Sequence, residues 1–336
     1  MKPAEDRLIQ KIAKAARLVA TGQKGSLRLG IGDDAALWRA RPAHEIILTC
    51  DWFLEGYHFL RAKHPPHSVG WKCLARAVSD VAAMGGEPRC FLLSLALPKN
   101  VLDARKGWTA AWLSDFLRGL RLAAGHFGCP LAGGDTTRSR RILINVTVIG
   151  EVPRRQVLCR SGAKAGDKIF VSGTLGQADL GLQLMRGGAK PSGRNGRTLR
   201  KHLYPEPRLA LGQWLARHRL ATSMMDISDG LSSDMSRLCA ASNVGARIEA
   251  ARIPLPTAPR TAPQRFDLLR LALHGGDDYE LLFTVSPKDL ARIPHAYQGL
   301  ALSQIGEVTP RRRLILVASN GTTTPLIPGG WDPFRR

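Results

Sequence analysis

The sequence contains no C-x-x-C pair; its six cysteines, Cys50, Cys73, Cys90, Cys129, Cys159 and Cys239, are scattered singly along 336 residues. That spacing excludes the common zinc and dithiol redox motifs, and reduced, mostly structural thiols are expected. Long hydrophobic runs are also missing. The longest strong one, Cys90 to Leu97, falls far short of the ~20 apolar residues that cross a bilayer. The N-terminal segment MKPAEDRLIQKIAKAARLVA interrupts its apolar positions with Glu5, Asp6, Lys11, Lys14 and Arg17. It lacks a secretory core and reads as an amphipathic first helix, so a cytoplasmic location is expected. Acidic residues are scarce, 27 against 49 Lys+Arg, which leaves a formal charge of +22. A charge of that size attracts polyanions in a salt-dependent way, so nonspecific nucleic-acid affinity is expected. The basic segment Gly187 to Lys201, however, has no aromatic residues interleaved for base stacking, and no nucleic-acid module is recognisable. Equally absent are G-x-x-x-x-G-K-S/T, an H-R-D loop with D-F-G, H-E-x-x-H and G-x-S-x-G. Their absence argues against the standard kinase, protease and hydrolase classes.

What the sequence does have is material for two cores. Hydrophobic residues make up 44% and charged residues 23%, and the length exceeds what one small domain uses. Ile46 to Thr49, Phe91 to Leu97, Ile142 to Ile149, Lys168 to Val171, Leu281 to Val285 and Leu314 to Val317 are short apolar runs bounded by turn residues, and they predict strands. Val69, Leu74, Ala77, Val78 and Val81 recur at helical spacing, as do Trp112, Phe116, Leu117 and Leu120. The order is mixed α and β. A domain boundary is expected near 150–160, separating residues 1–152 from 153–336, because a Pro and Arg segment there is followed by the glycine turn Gly162 to Asp167.

In so basic a chain, the acids stand out by gathering in glycine-rich turns. Gly30-Ile31-Gly32-Asp33-Asp34-Ala35 superficially fits a dinucleotide fingerprint, but it places two carboxylates where a pyrophosphate would meet the backbone. A cation would reverse that repulsion. Asp51 follows a predicted strand and is either a turn-former or a functional group at a strand end. Asp80 sits beside the apolar face of its helix, as a salt-bridge partner or a ligand. Gly133-Gly134-Asp135-Thr136-Thr137 offers amides and hydroxyls suited to phosphate, with one carboxylate. In Asp226-Ile227-Ser228-Asp229-Gly230, Ser228 is positioned to cap the helix that begins near Leu231. Gly275-Gly276-Asp277-Asp278-Tyr279-Glu280 sets three acids before a strand. Several aspartates with phosphate oxygens are the donor set that magnesium prefers.

Taken in order, GIGDDAAL, TCDWFLEGYHF, AVSDVAAMGGEP, GGDTTRS, MDISDGLSSD and GGDDYEL resemble the thiamine-monophosphate kinases, within the aminoimidazole-ribonucleotide synthetase-like ATP enzymes. The resemblance runs from about Leu29 to Gly330-Trp331-Asp332-Pro333-Phe334. It implies an α+β fold of two domains: an N-terminal mixed sheet with helices on one side that pairs with a second subunit, and a C-terminal α/β domain that closes over the nucleotide. It further implies phosphoryl transfer from ATP to thiamine monophosphate, assisted by several magnesium ions, with a homodimer as the working form. By the same resemblance Asp33, Thr49, Cys50, Asp51, Asp80, Asp135, Asp226 and Asp229 form the magnesium shell. Gly134, Asp135, Arg160 and Ser228 meet ATP, while His58, Asp277 and Trp331 hold thiamine monophosphate. No general base is expected, since a phosphate monoester is already ionised near neutral pH. Two positions depart from the family pattern. Cys50 stands where a hydroxyl residue is common, which points any metal contact there to its carbonyl oxygen, and Asp277 stands where glutamate is common. The rival readings are a sister ATP-dependent synthetase and a basic nucleic-acid-binding protein.

Overall fold

The computed structural model describes residues 4–17, 26–31, 35–99, 107–190, 196–258 and 266–334. The chain folds as two compact units, Met1–Val81 with Gly86–Arg154 and Ala82–Gly85 with Arg155–Arg336.

In the first unit α1 (Ala4–Arg17) and the short pair β1 (Leu27–Leu29) and β2 (Leu37–Trp38) precede β3 (His44–Leu54), α2 (Pro66–Ala83), β4 (Glu87–Leu97), α3 (Gly107–His126), β5 (Leu131–Arg138) and β6 (Leu143–Pro153). The main sheet has the order β3-β6-β4-β5, antiparallel except for the β4–β5 pair. Strand alternation explains its two faces. Ile47 and Phe53 of β3, Leu93, Leu95 and Leu97 of β4, and Ile144, Val146 and Val148 of β6 are buried. So are Leu74, Ala77, Val78 and Val81 of α2 and Trp112, Phe116, Leu117 and Leu120 of α3, the positions whose spacing predicted the helices. The predicted strand Ile46 to Thr49 extends to Leu54 because the ladder with β6 continues as far as Leu54 opposite Leu143. On the opposite face of β3, Ile46, Leu48 and Trp52 are 43%, 71% and 55% exposed.

The second unit contains β7 (Lys168–Ser172), α4 (Gln177–Arg186), α5 (Gly196–Leu203), α6 (Leu209–Arg217), β8 (Ala221–Ile227), α7 (Leu231–Ser242), β9 (Gly245–Glu249), α8 (Leu268–His274) and β10 (Glu280–Val285), followed by β11 (Ala296–Tyr297), β12 (Leu300–Thr309), β13 (Leu314–Val317) and β14 (Thr323–Pro325). Its sheet runs β14-β13-β9-β12-β7-β10-β8, with β11 attached to β12. The central strands read as continuous apolar runs because both faces are covered. Ile169, Val171, Met225, Ile227 and Leu282 cluster with Leu231, Met235 and Leu238 of α7. Their alternate neighbours Phe170, Met224, Leu281 and Phe283 cluster with Leu211 and Leu215 of α6. Among the described residues no helix is long and apolar enough to cross a membrane. All six cysteines are free, and burial pushes the thiols of Cys73 and Cys239 up to about 12, which keeps them protonated and unreactive.

Candidate functional site

In the first unit, the period of two along β3 sorts the candidate ligands. Thr49 and Asp51 share the helix-facing side, where the Thr49 hydroxyl donates to Asp80 Oδ2 on α2 and Asp51 Oδ1 lies 3.7 Å from Arg76 Nη2. Cys50 faces the other side and is exposed; its Sγ donates to Asn145 Oδ1 at 3.3 Å and accepts from Asn145 Nδ2 at 3.1 Å. The structure therefore brings Thr49, Asp51 and Asp80 to one side and places the Cys50 side chain on the other. At the end of β3, the Leu54 backbone N–H donates to His58 Nδ1 at 3.1 Å, which fixes the ring proton on Nε2. Asp33 lies outside the described residues.

A cavity of about 740 Å³ opens in this unit, lined by Gly133, Gly134, Asp135 and Thr136 of β5, Ser94 of β4, and Ile9 and Ile12 of α1, with Gly30, Ile31 and Ala35 from the flanks of the predicted acidic turn. The volume lies within the ordinary range for small-molecule sites, ~300–1,000 Å³. Thr136 Oγ1 is buried without a hydrogen-bond partner. An orphaned hydroxyl in a cavity wall is a group left for a ligand or a water to satisfy.

In the second unit, three stretches far apart in sequence meet by backbone hydrogen bonds. Asp277 N–H donates to Ser228 O at 2.8 Å, Tyr279 N–H to Ile227 O at 2.9 Å, and Trp331 N–H to Asp229 O at 2.9 Å. Asp226, Ser228, Asp229, Asp277 and Trp331 are thereby assembled around the exit of β8 and the entry to α7. Asp226 is buried at 3% exposure, while Trp331 keeps 45% of its surface. Gly330 N–H donates to Ser233 Oγ at 3.1 Å, and a Cβ at Gly330 would stand 1.9 Å from Asp229 O, so only glycine lets the tail lie this close. Arg160 is exposed, and its carbonyl accepts from Ser242 Oγ at 2.9 Å.

Ser228 does not cap α7. The cap position is Gly230, at φ 106°, and the amides of Ser228 and Asp229 are instead held by Asp234 Oδ2 at 3.1 and 3.0 Å. The carboxylate reaches back from the first turn of α7 to two amides that precede the cap, which ties the incoming loop to the helix. Asp234 stands in the MDISDGLSSD segment but carries no distinguishing sequence signal of its own. Burial, reinforced by the charge of Asp229, pushes its carboxyl up to about 6 against the pull of Arg237. Arg237 Nη1 spans Asp229 Oδ2 and Asp234 Oδ1, both at 2.6 Å. The GGDDYEL acids also divide their labour. Asp278, fully buried, accepts from the backbone N–H groups of Gly176 and Ala178 at the start of α4, and burial pushes it up to about 7 despite Lys201 and those two donors. Glu280 accepts from Ser172 Oγ at 2.6 Å, from Lys201 Nζ, and from Arg208 Nε at 2.7 Å. Burial alone would raise its carboxyl, but Lys201 and Arg208 override that and hold it below the usual range.

Magnesium requires hard oxygen donors, and Thr49, Asp51, Asp80, Asp135, Asp226 and Asp229 offer them. Among the described residues, no three His, Cys, Asp or Glu side chains converge in a metal-holding group. The donor types suit the ion, while Arg76 and Arg237 are ion-paired with two of the carboxylates and would have to yield to it.

Comparison with known proteins gives the family. The family described as AIR synthase related protein, N-terminal domain, matches residues 32–152, and AIR synthase related protein, C-terminal domain, matches residues 164–319. A thiamine-monophosphate kinase of Synechococcus elongatus is 36% identical over 90% of this chain and 91% of its own. The crystal structure of thiamine-monophosphate kinase from Stenotrophomonas maltophilia superposes with a TM-score of 0.79 at 33% identity, covering 94% of this chain and 96% of that one. AaThiL complexed with AMPPCP and TMP superposes with a TM-score of 0.75 at 31% identity, covering 99% of each. The chain belongs to the AIR synthase related family and, within it, to the thiamine-monophosphate kinases.

Proposed function

We propose that this chain transfers the γ-phosphoryl group of ATP directly to the phosphate of thiamine monophosphate, yielding thiamine diphosphate and ADP. The observation that carries the reading is the backbone-bonded meeting of Asp229, Asp277 and Trp331, which sets the entry to α7 beside a carboxylate and an exposed indole. The relative that binds AMPPCP and TMP at 31% identity supports an ATP-type donor and this acceptor.

In the step itself, an oxygen of the acceptor phosphate forms a bond to the γ-phosphorus while the bond from that phosphorus to the β–γ bridging oxygen breaks, and ADP leaves. The nucleophile is already ionised, so the residues have to position two anions in line and offset their repulsion. Gly134 and Asp135, at the cavity in the first unit, and Arg160 and Ser228, in the second, are the groups we assign to ATP. Magnesium would be held by oxygen atoms of Asp33, Thr49, Asp51, Asp80 and Asp135 in the first unit and of Asp226 and Asp229 in the second, and Cys50 would contribute through its carbonyl because its thiol is engaged by Asn145. Magnesium, when bound, neutralises phosphate charge that aspartates alone would oppose. His58, Asp277 and Trp331 are the groups we assign to thiamine monophosphate, and the Trp331 ring face favours a thiazolium cation.

Thiamine diphosphate should form from ATP, magnesium and thiamine monophosphate with the wild type and fall at least about a hundredfold in Asp229→Asn or with the metal chelated. Absence of product from a wild type that binds ATP would reassign the acceptor and favour a sister synthetase. We further infer a homodimer formed through the exposed β3 face of Ile46, Leu48 and Trp52, since soluble monomers seldom display such a row unpaired.

A further inference from the structure

We propose that Tyr279 and His202 are positioning residues for Asp277, fixing the direction of its carboxylate toward a cationic heteroaromatic ligand. The inference rests on Asp277 contacting the acceptor, and it explains how an aspartate serves there. The Tyr279 hydroxyl donates to Asp277 Oδ1 at 2.7 Å, and His202 Nδ1, on α5, lies 3.9 Å from Asp277 Oδ2. Each carboxylate oxygen thus faces its own neighbour. Tyr279 and His202 are 2% and 1% exposed, whereas the Asp277 side chain keeps 24% of its surface. Of the three groups, the carboxylate is the accessible one.

The backbone is built to hold this arrangement. Asp277 and Tyr279 adopt φ values of 69° and 52°, left-handed conformations that side-chain-bearing residues avoid unless their surroundings impose them. Here the surroundings do so from several sides. The amides of Asp277 and Tyr279 are bonded to Ser228 O and Ile227 O, Asp278 between them is anchored on the start of α4, and Glu280 after them is locked by Lys201 and Arg208. Such a strained pair of residues is retained where orientation matters. Asp179, on α4, adds a second acid nearby: burial pushes its carboxyl up, and the charge of Asp277 contributes. An aspartate has one methylene less than glutamate and correspondingly less reach, but a carboxylate hydrogen-bonded at one oxygen and faced by an imidazole at the other loses less freedom on binding.

The test is thiamine monophosphate affinity by calorimetry, with Michaelis constants for both substrates, in Tyr279→Phe, His202→Ala, His202→Asn, Asp277→Asn and Tyr279→Phe/Asp277→Asn. Tyr279→Phe should weaken thiamine monophosphate binding roughly tenfold, the loss of one charged hydrogen bond, while the ATP constant and kcat stay within about twofold. His202→Ala should weaken it about threefold, and His202→Asn, which keeps a donor in the same region, should restore most of that. In the Asp277→Asn background, Tyr279→Phe should add little, because its partner's charge is already gone. Full additivity in that cycle, or equal losses for ATP, would show that the tyrosine acts elsewhere and overturn the inference. Unchanged affinity in Tyr279→Phe and His202→Ala would overturn it as well. A wild type that neither binds nor phosphorylates thiamine monophosphate would overturn the substrate reading itself and the positioning role with it, an outcome distinct from the others.

Discussion

Asp278 shows how much one carboxyl can depend on its surroundings. It is fully buried, bonded to two amides at the start of α4, and pushed from an ordinary aspartate's 3.8 to about 7. Its folded value is the raised one, so between about 4 and 7 the folded chain binds a proton that the unfolded chain has released. The group therefore favours folding most at the acidic end of that window, and its contribution declines as pH rises through it. Comparing thermal midpoints at the two ends, Asp278→Asn should remove part of the fall seen in the wild type on going from acid to neutral pH. An identical pH profile for the two proteins would show that the carboxyl titrates as if it were exposed. Nothing in GGDDYEL itself separates this buried aspartate from its accessible neighbour Asp277. The separation is made by α4, whose first amides arrive from a hundred residues away in sequence.

At the scale of elements, the strands and helices were legible where apolar periodicity was strong, as in α2, where Leu74, Ala77, Val78 and Val81 are all buried. The loop between β8 and α7 was legible as an acidic, helix-entering turn but not in its wiring. A serine before a helix predicts a cap, yet Gly230 holds the cap position and Ser228 lies two residues upstream, where its amide is bonded to Asp234. The meeting of Trp331 with Asp229 was illegible for a different reason, since a tail can dock anywhere that its backbone is allowed to approach. Gly330 grants that approach. In Gly330→Ala the added methyl would collide with Asp229 O, so the tail should detach. Limited proteolysis should then clip the C-terminal segment several-fold faster, with α7 still protected. Cleavage at the wild-type rate would mean that the tail is held by contacts other than those of Gly330 and Trp331.

At the scale of the whole molecule, β3 carries the face assigned above to a second copy. Ile46, Leu48 and Trp52 form an exposed apolar row on the face opposite Thr49 and Asp51. If a second copy covers it, Leu48→Glu should shift the protein from dimer to monomer in light scattering, with a loss of several kcal/mol of association for burying an unpaired charge. A wild type that is monomeric at micromolar concentration would remove that interface. β3 is paired with β6 residue for residue along its full length, from His44 opposite Pro153 to Leu54 opposite Leu143. Deleting a single residue from it would exchange the two faces, sending Thr49 and Asp51 outward and Leu48 and Trp52 into the core. The strand can therefore change over generations by substitution at alternate positions, one face at a time, but insertions and deletions within it should be purged, and its length should drift far less than its composition.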